Sequence, residues 1–275
     1  MFTSHTTSDI DLSKLADFEH QIAGHGGIQH TEDQSVLIKP LDPRENAFYK
    51  GIANNPSFKP FAPAYFGTIC LDKSQLGHPA THLCIENLTK DFVAPCIADI
   101  KIGTRYYDLD ATPEKKARAI KMASERTSSV FGYCFCGLGL PGKPFADHDW
   151  ITKLDKESVV TDALVPLFQV AEDSVDKEYR QTTIQKLIER ISEYRDVIQK
   201  SETRMFGNSL LIIYESDPDR VKAGIGRLVD AGIGRLVDVR TIDFAHSHWL
   251  PGEGPDEQYL FGLDNLIQAL TDICN

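Results

Sequence analysis

Asp99 and Lys101 stand two residues apart in the run FVAPCIADIKIGTRYYD at residues 92–108, where Pro95 and Gly103 complete the pattern P-x-x-x-D-x-K-x-G. Ile97, Asp99 and Lys101 alternate with Ala98, Ile100 and Ile102, which predicts a strand with the carboxylate and the ammonium on one face. Such a pair can orient an attacking hydroxyl and neutralise a phosphate. A strand-edge salt bridge is the plainer reading of any isolated D-x-K.

Other residues extend the phosphate reading. Residues 36–40 predict a short strand carrying Lys39, after a glycine-rich stretch at 20–27, and Pro43 and Glu45 predict a helix start. A strand lysine paired with a glutamate on the next helix is how protein-kinase-type enzymes hold a nucleotide phosphate, and a glycine-rich turn suits a phosphate cover. A hairpin with a solvated lysine is the alternative. Residues 237–246 predict a strand that ends on Asp243, followed by Phe244, similar in kind to the magnesium-binding Asp-Phe-Gly of protein kinases; a turn-capping aspartate is the alternative. Arg105, Lys115, Lys116, Arg118 and Lys121 follow the Asp99 strand. Thr112 and Pro113 predict a helix that sets Lys115, Arg118 and Lys121 on one basic face.

The net charge of −11 argues against general nucleic-acid binding, which needs a surplus of Lys and Arg on one surface, but leaves room for a local anion site. No apolar run reaches the roughly 18 residues of a membrane span, and the N-terminus lacks a basic-then-apolar leader, so an intracellular chain is expected. The six cysteines show no paired metal-ligand spacing and read as reduced, buried thiols.

The positioning elements follow from periodicity. Strands are predicted at 64–70, 81–85, 131–137 and 209–215, and helices at 155–170, 173–201 and 263–273. The second helix carries Ile184, Leu187, Ile191, Tyr194 and Ile198 on one stripe. Gly137, Gly142 and Lys143 imitate a phosphate-binding loop. Pro144, however, replaces the required Ser or Thr, and the prolines forbid the helix, so a turn is expected. AGIGRLVD at 223–230 recurs at 231–238, a single duplication in a connector. The pattern predicts an α+β chain of two lobes, a small β-rich one at 1–88 and a larger α+β one at 89–275.

Five ordered motifs carry a resemblance: H-Q-I-A-G-H from His20, P-R-E-N-A-F-Y from Pro43, P-x-x-x-D-x-K-x-G from Pro95, S-L-L from Ser209 and I-D-F-A-H-S from Ile242. Together they resemble the inositol polyphosphate kinase family along essentially the whole chain, and most of all its fungal multikinases. The resemblance implies a kinase-like fold, related to protein kinases and ATP-grasp enzymes, with ATP and Mg2+ between the lobes. It implies Lys39 on the ATP phosphates with Glu45 behind it, the backbone of Glu86 and Leu88 on adenine, and Asp243 on the metal with Ser209 nearby. Asp99 would orient or deprotonate the inositol hydroxyl, and Lys101 would bridge the substrate phosphate and the transferring group. Lys115, Arg118 and His246 would line the inositol phosphate site. Cys134 stands where such enzymes often carry Arg.

The expected reaction is phosphorylation of inositol 1,4,5-trisphosphate and inositol tetrakisphosphate. A hexakisphosphate kinase forming pyrophosphates, or a non-catalytic nuclear scaffold on the same fold, are the alternatives. The absence of H-R-D and D-F-G disfavours a protein kinase. By resemblance alone, a nuclear or cytoplasmic location and transcriptional-regulator partners are also expected.

Overall fold

The computed structural model describes residues 14–20, 27–71, 80–143, 148–224 and 236–275. The first part of the chain forms an antiparallel sheet of β1 (Leu15–Asp17), β2 (Gln29–Thr31), β3 (Val36–Pro40), β4 (Tyr65–Leu71) and β5 (Ala80–Glu86), in the order β1-β2-β3-β5-β4. Val36, Ile38, Ile69, Leu71 and Cys84 fill one face of it. Period-two alternation then gives Lys39 the other face. Helix α1 (Pro43–Ile52) follows at once, with the Asp42 side chain accepting from the Arg44 and Glu45 N–H groups and Pro43 in the first turn.

A second antiparallel sheet, in the order β10-β9-β6-β7, is made of β6 (Pro95–Ile102), β7 (Tyr133–Gly139), β9 (Ser209–Glu215) and β10 (Val237–Ile242). Central β6 is buried from Cys96 to Ile100, as expected of a strand covered on both faces. A β-bulge between Asp99 and Ile100 shifts its register on β7. Between β6 and β7 lie α2 (Pro113–Ser124) and the single turn α3 (Ser128–Phe131). The remaining helices are α4 (His148–Lys153), α5 (Val165–Ser174), α6 (Lys177–Lys200), α7 (Pro218–Gly224) and α8 (Glu257–Cys274), and β8 (Thr203–Met205) pairs with β11 (Ser247–Trp249).

One apolar core joins both parts of the chain. The predicted stripe of α6 is buried in it at Ile184, Leu187, Ile191, Tyr194 and Ile198. Phe48 of α1 is sandwiched between Phe244, at a centroid distance of 4.5 Å, and Trp249, at 4.6 Å. The Trp249 indole N–H also donates to the Phe48 carbonyl. Helix α1 is thus packed onto the second half of the chain.

Several boundaries differ from expectation. The strand expected at 131–137 begins at Tyr133, because α3 is closed by Gly132 in the left-handed region at φ 69°. The helix expected at 155–170 opens as a π-helical turn (Val159–Leu164) before α5, and α6 starts at Lys177, where Asp176 caps it. The strand expected to end on Asp243 ends one residue before it, at Ile242; Asp243 adopts φ 64° and a 3-10 turn (Phe244–His246) follows. The last helix starts six residues early, capped by Asp256. Cys84, Cys96 and Cys134 are buried free thiols, but Cys70 is exposed, contrary to the reading of the cysteines as buried. Residues 21–26 of the glycine-rich stretch and 225–235 of the duplication lie outside the described residues. Among the described residues no helix is long and apolar enough to cross a membrane.

Candidate active site

A cavity of about 380 Å³ opens between the two sheets, a volume within the ordinary range for a small-molecule site. Its walls include Lys39 from β3, Glu45 and Tyr49 from α1, Glu86 and Leu88 at the exit of β5, Asp99 from β6, and Asp243 just past β10. Every residue that the sequence assigned to a nucleotide therefore faces one space.

Lys39 Nζ lies 3.1 Å from the Glu45 carboxylate and donates to Asp243 Oδ1 at 2.6 Å. Burial works against the Lys39 ammonium, but Asp243 and Glu45 outweigh it and raise its pKa above the ordinary lysine value. Glu45, 1% exposed, is pushed up by burial and pulled back in part by Lys39. Asp243 is held below the usual carboxylate range: burial opposes this, and Lys39 prevails. Its side chain is 45% exposed, so one edge of the carboxylate faces the cleft. A left-handed backbone at a non-glycine residue is uncommon and costs on the order of 1 kcal/mol. Here it turns the chain at the strand end and aims the carboxylate at Lys39.

Asp99 is 5% exposed, and one of its oxygens, Oδ1, has no hydrogen-bond partner among the described residues. Burial pushes its pKa up to about 6, against the lowering effect of the Ser209 hydroxyl. Lys101 donates to the Gly207 carbonyl at 3.1 Å. Burial opposes its charge, yet Cys136, Asp99 and Asp243 together raise its pKa. Because β9 runs between β6 and β10, Ser209 has Lys101 across one edge and Ile242 across the other. The hydroxyl thus sits one residue from the Asp243 turn and beside Asp99.

The expected substrate residues lie elsewhere. Lys101, Lys115, Arg118 and His246 do not line the cavity. Lys115 and Arg118 are exposed on α2, whose cap at Thr112 is as predicted. His246 Nδ1 lies 3.0 Å from Asp108 Oδ2, and the ring is otherwise half-exposed. Arg105 is folded over the rings of Tyr107 and Phe206 rather than standing with the α2 cations.

Three residues of the site escaped the sequence reading. Tyr49, one helical turn from Glu45, is buried on the cavity wall with a hydroxyl that has no partner among the described residues. Its i, i+4 spacing from Glu45 was the available signal. Asp108 accepts from Arg44 and from both His246 and His248. Arg240 on β10 reaches Asp238 at 3.0 Å, Glu86 at 3.5 Å and the Ala62 carbonyl at 2.9 Å, tying the exit of the first sheet to the second. Neither had a sufficient local signal, because, Asp238 apart, their side-chain partners named here come from distant segments.

No group of three or more His, Cys, Asp or Glu among the described residues could cage a metal. Asp243 alone suits a hard cation that arrives with phosphate oxygens and water, the usual habit of magnesium.

A family model described as inositol polyphosphate kinase matches residues 82–271. Inositol hexakisphosphate kinase 3 of Mus musculus is 34% identical over 205 residues, covering 70% of this chain and 50% of its own length. Inositol polyphosphate multikinase of Saccharomyces cerevisiae is 25% identical over 342 residues, covering 90% of this chain and 96% of its own. The chain thus spans about half the length of the hexakisphosphate kinases it matches and nearly all of the yeast multikinase. A crystal structure of the S. cerevisiae inositol phosphate multikinase in complex with ADP and Mn2+ superposes with a TM-score of 0.77 at 27% identity, over 88% of this chain and 100% of that one.

Proposed function

The chain belongs to the inositol polyphosphate kinase family, and from that premise we propose that it is an ATP- and magnesium-dependent kinase. Its acceptors are inositol 1,4,5-trisphosphate and inositol tetrakisphosphates. The observation that carries this reading is the meeting of the Lys39–Glu45–Asp243 ion triad with the Asp99 side chain in one cavity. A nucleotide fits these walls: Lys39 supplies a cation for its phosphates, and the Leu88 N–H has no acceptor among the described residues.

In this reading Lys39 donates to the ATP phosphates, and Glu45 keeps it extended. Leu88 N–H and the Glu86 backbone meet the adenine edge. Asp243, with Ser209 beside it, would hold Mg2+, which when bound neutralises phosphate oxygens. Asp99 orients the ring hydroxyl and takes its proton. A pKa of about 6 leaves Asp99 ionised at neutral pH and more basic than an exposed aspartate. Lys101 neutralises charge between donor and acceptor, Lys115 and Arg118 receive the acceptor's phosphates, and His246 lines the same site. Phosphoryl transfer needs this positioning and neutralisation more than covalent help. The two lobes meet at the connector after Glu86, with the boundary at residue 88.

The 34% identity to the mouse hexakisphosphate kinase supports a second reading, a pyrophosphate-forming kinase. The near full-length match to the yeast multikinase favours the first. The test is ATP turnover with Mg2+ by the purified chain against inositol 1,4,5-trisphosphate and inositol hexakisphosphate, with products resolved. Conversion of the trisphosphate to higher phosphates is expected. Reaction with the hexakisphosphate alone selects the second reading, and turnover of neither rejects both.

A further inference from the structure

Asp108 lies at the end of the run that carries Asp99 and Lys101, in the connector before α2, and it is buried. Arg44 of α1 donates to Oδ2 at 2.6 Å. His246 Nδ1 is 3.0 Å from that same oxygen, and His248 Nε2 is 2.6 Å from Oδ1. The Leu109 N–H donates to Oδ1 at 2.6 Å. One carboxylate therefore collects partners from three separate segments of the chain.

These contacts close a ring. Asp243 meets Lys39, Lys39 meets Glu45, and Glu45 neighbours Arg44 on α1. Arg44 meets Asp108, Asp108 meets His246, and His246 is three residues from Asp243. Lys39, Glu45 and Asp243 line the cavity, and Arg44, Asp108 and His246 lie outside it, His246 being the member that the kinase reading assigns to the acceptor.

An ionised carboxylate has only lone pairs to offer, so a ring nitrogen at hydrogen-bond distance from it must carry the hydrogen. Asp108 is held near a pKa of about 2: burial opposes its charge, and the bonds from His246, the Leu109 N–H and His248 overcome that opposition. The hydrogen of His246 is accordingly on Nδ1, and Nε2 is on the ring edge turned from Asp108. That ring is 53% exposed. A histidine fixed in this way by a carboxylate has both its tautomer and its orientation set.

We infer that Asp108 is a positioning residue for the acceptor side of the reaction. It holds the His246 ring with Nε2 outward and ties it, through Arg44, to the helix that supports Lys39. The inference rests on the kinase reading for its kinetic part only, because the tautomer can be read without turnover.

The test has a spectroscopic and a kinetic arm, both on the full chain. Long-range proton–nitrogen correlation spectra of the 15N-labelled protein report the tautomer of each imidazole, with the His246 signals identified by their loss in His246→Gln. The expected result is His246 protonated on Nδ1 in the unaltered chain. Protonation on Nε2 with a bare Nδ1 would overturn the inference without any Asp108 variant.

In the kinetic arm, Asp108→Asn should raise KM for the inositol phosphate about tenfold while KM for ATP stays within twofold. Asp108→Asn/His246→Gln should be no worse than His246→Gln alone, since the two residues act as one unit. Losses that add in the double variant, or equal rises in both KM values, would sink the coupling. Should Asp108→Asn fail to fold, Asp108→Glu keeps the charge and displaces it. A KM shift confined to the inositol phosphate is then expected, and an unchanged KM would count against the inference. Absence of turnover with every inositol phosphate in the unaltered chain rejects the kinase reading, whereas the tautomer stands or falls by itself.

Discussion

Lys39 Nζ reaches Asp243 Oδ1 at 2.6 Å across 204 residues of sequence, and the same ammonium rests on Glu45. The contact pins the first sheet to the turn after β10. Lys39→Met should therefore act twice. It removes the cation that faces the phosphates and leaves Glu45 buried without its partner. We expect a loss of at least about 100-fold in kcat/KM for ATP, from the size of such charge stabilisation, and a stability loss of about 1–3 kcal/mol. Steady-state kinetics with urea unfolding checks both; a variant that binds and turns over ATP normally would remove Lys39 from the site.

Asp99 should set the acid limb of the pH profile. Its folded pKa, about 6, lies above its ordinary value of 3.8, so kcat/KM should rise with pH through about 6 and then level off. The linkage has the opposite sign for stability. Below 3.8 the group is protonated in both states and costs nothing. Between 3.8 and 6 the unfolded chain releases the proton first, and the folded state loses stability as pH rises.

Asp99→Asn should consequently lower kcat by roughly 1,000-fold, the middle of the range for a lost acid–base group. It should also make the protein more stable at pH 8, by about 1–3 kcal/mol given 1.36 kcal/mol per pKa unit. That gain should vanish below pH 4. Thermal unfolding across this range decides the matter: equal stability at every pH would show that the buried carboxylate carries no strain.

Glu215, fully buried at the end of β9, accepts backbone N–H groups from Val93, Ala94, Ser216 and Asp217 at 2.7–3.0 Å. It anchors the connector that enters β6. Glu215→Gln replaces one acceptor oxygen with a donor and should cost about 2–4 kcal/mol, as hydrogen bonds to a charged group are worth about 1.5–3 each. Amide hydrogen exchange at Val93 and Ala94 should accelerate; exchange rates left as they were would argue that the bonds are dispensable.

Gly262 of α8 has no room for a methyl group. A Cβ there would stand 2.1 Å from the Gly132 carbonyl oxygen, which itself accepts from the Gly103 N–H at 2.7 Å. Gly262→Ala should destabilise by about 1–3 kcal/mol through overpacking. Because Gly103 closes the P-x-x-x-D-x-K-x-G run, it should also lower kcat. Gly262→Ala with native melting temperature and turnover would contradict this packing.

The placements that depend on local spacing were legible. Asp99 and Lys101 follow from the two-residue period, Glu45 from the helix start at Pro43, and the α6 stripe from helical repetition. Asp108 and Arg240 were not, because each gathers partners from segments that only the folded chain brings together. The turn that follows β10 was not legible for another reason. Asp243 makes a left-handed turn that a sequence reader expects of glycine, and the ion pair with Lys39 holds it there. Strands β1, β2, β8 and β11, three residues each, are shorter than any periodic signal.

The aromatic sandwich of Phe48 bears on how such a protein is governed. Many kinases are silenced by swinging a helix outward so that its glutamate abandons the lysine. Here the helix bearing Glu45 is gripped at Phe48 by rings on both sides, with a further bond from Trp249 and an ion pair from Arg44. Outward movement would break all of these at once. On the proposed kinase reading, the outward swing of this helix is therefore not a route by which the chain is silenced.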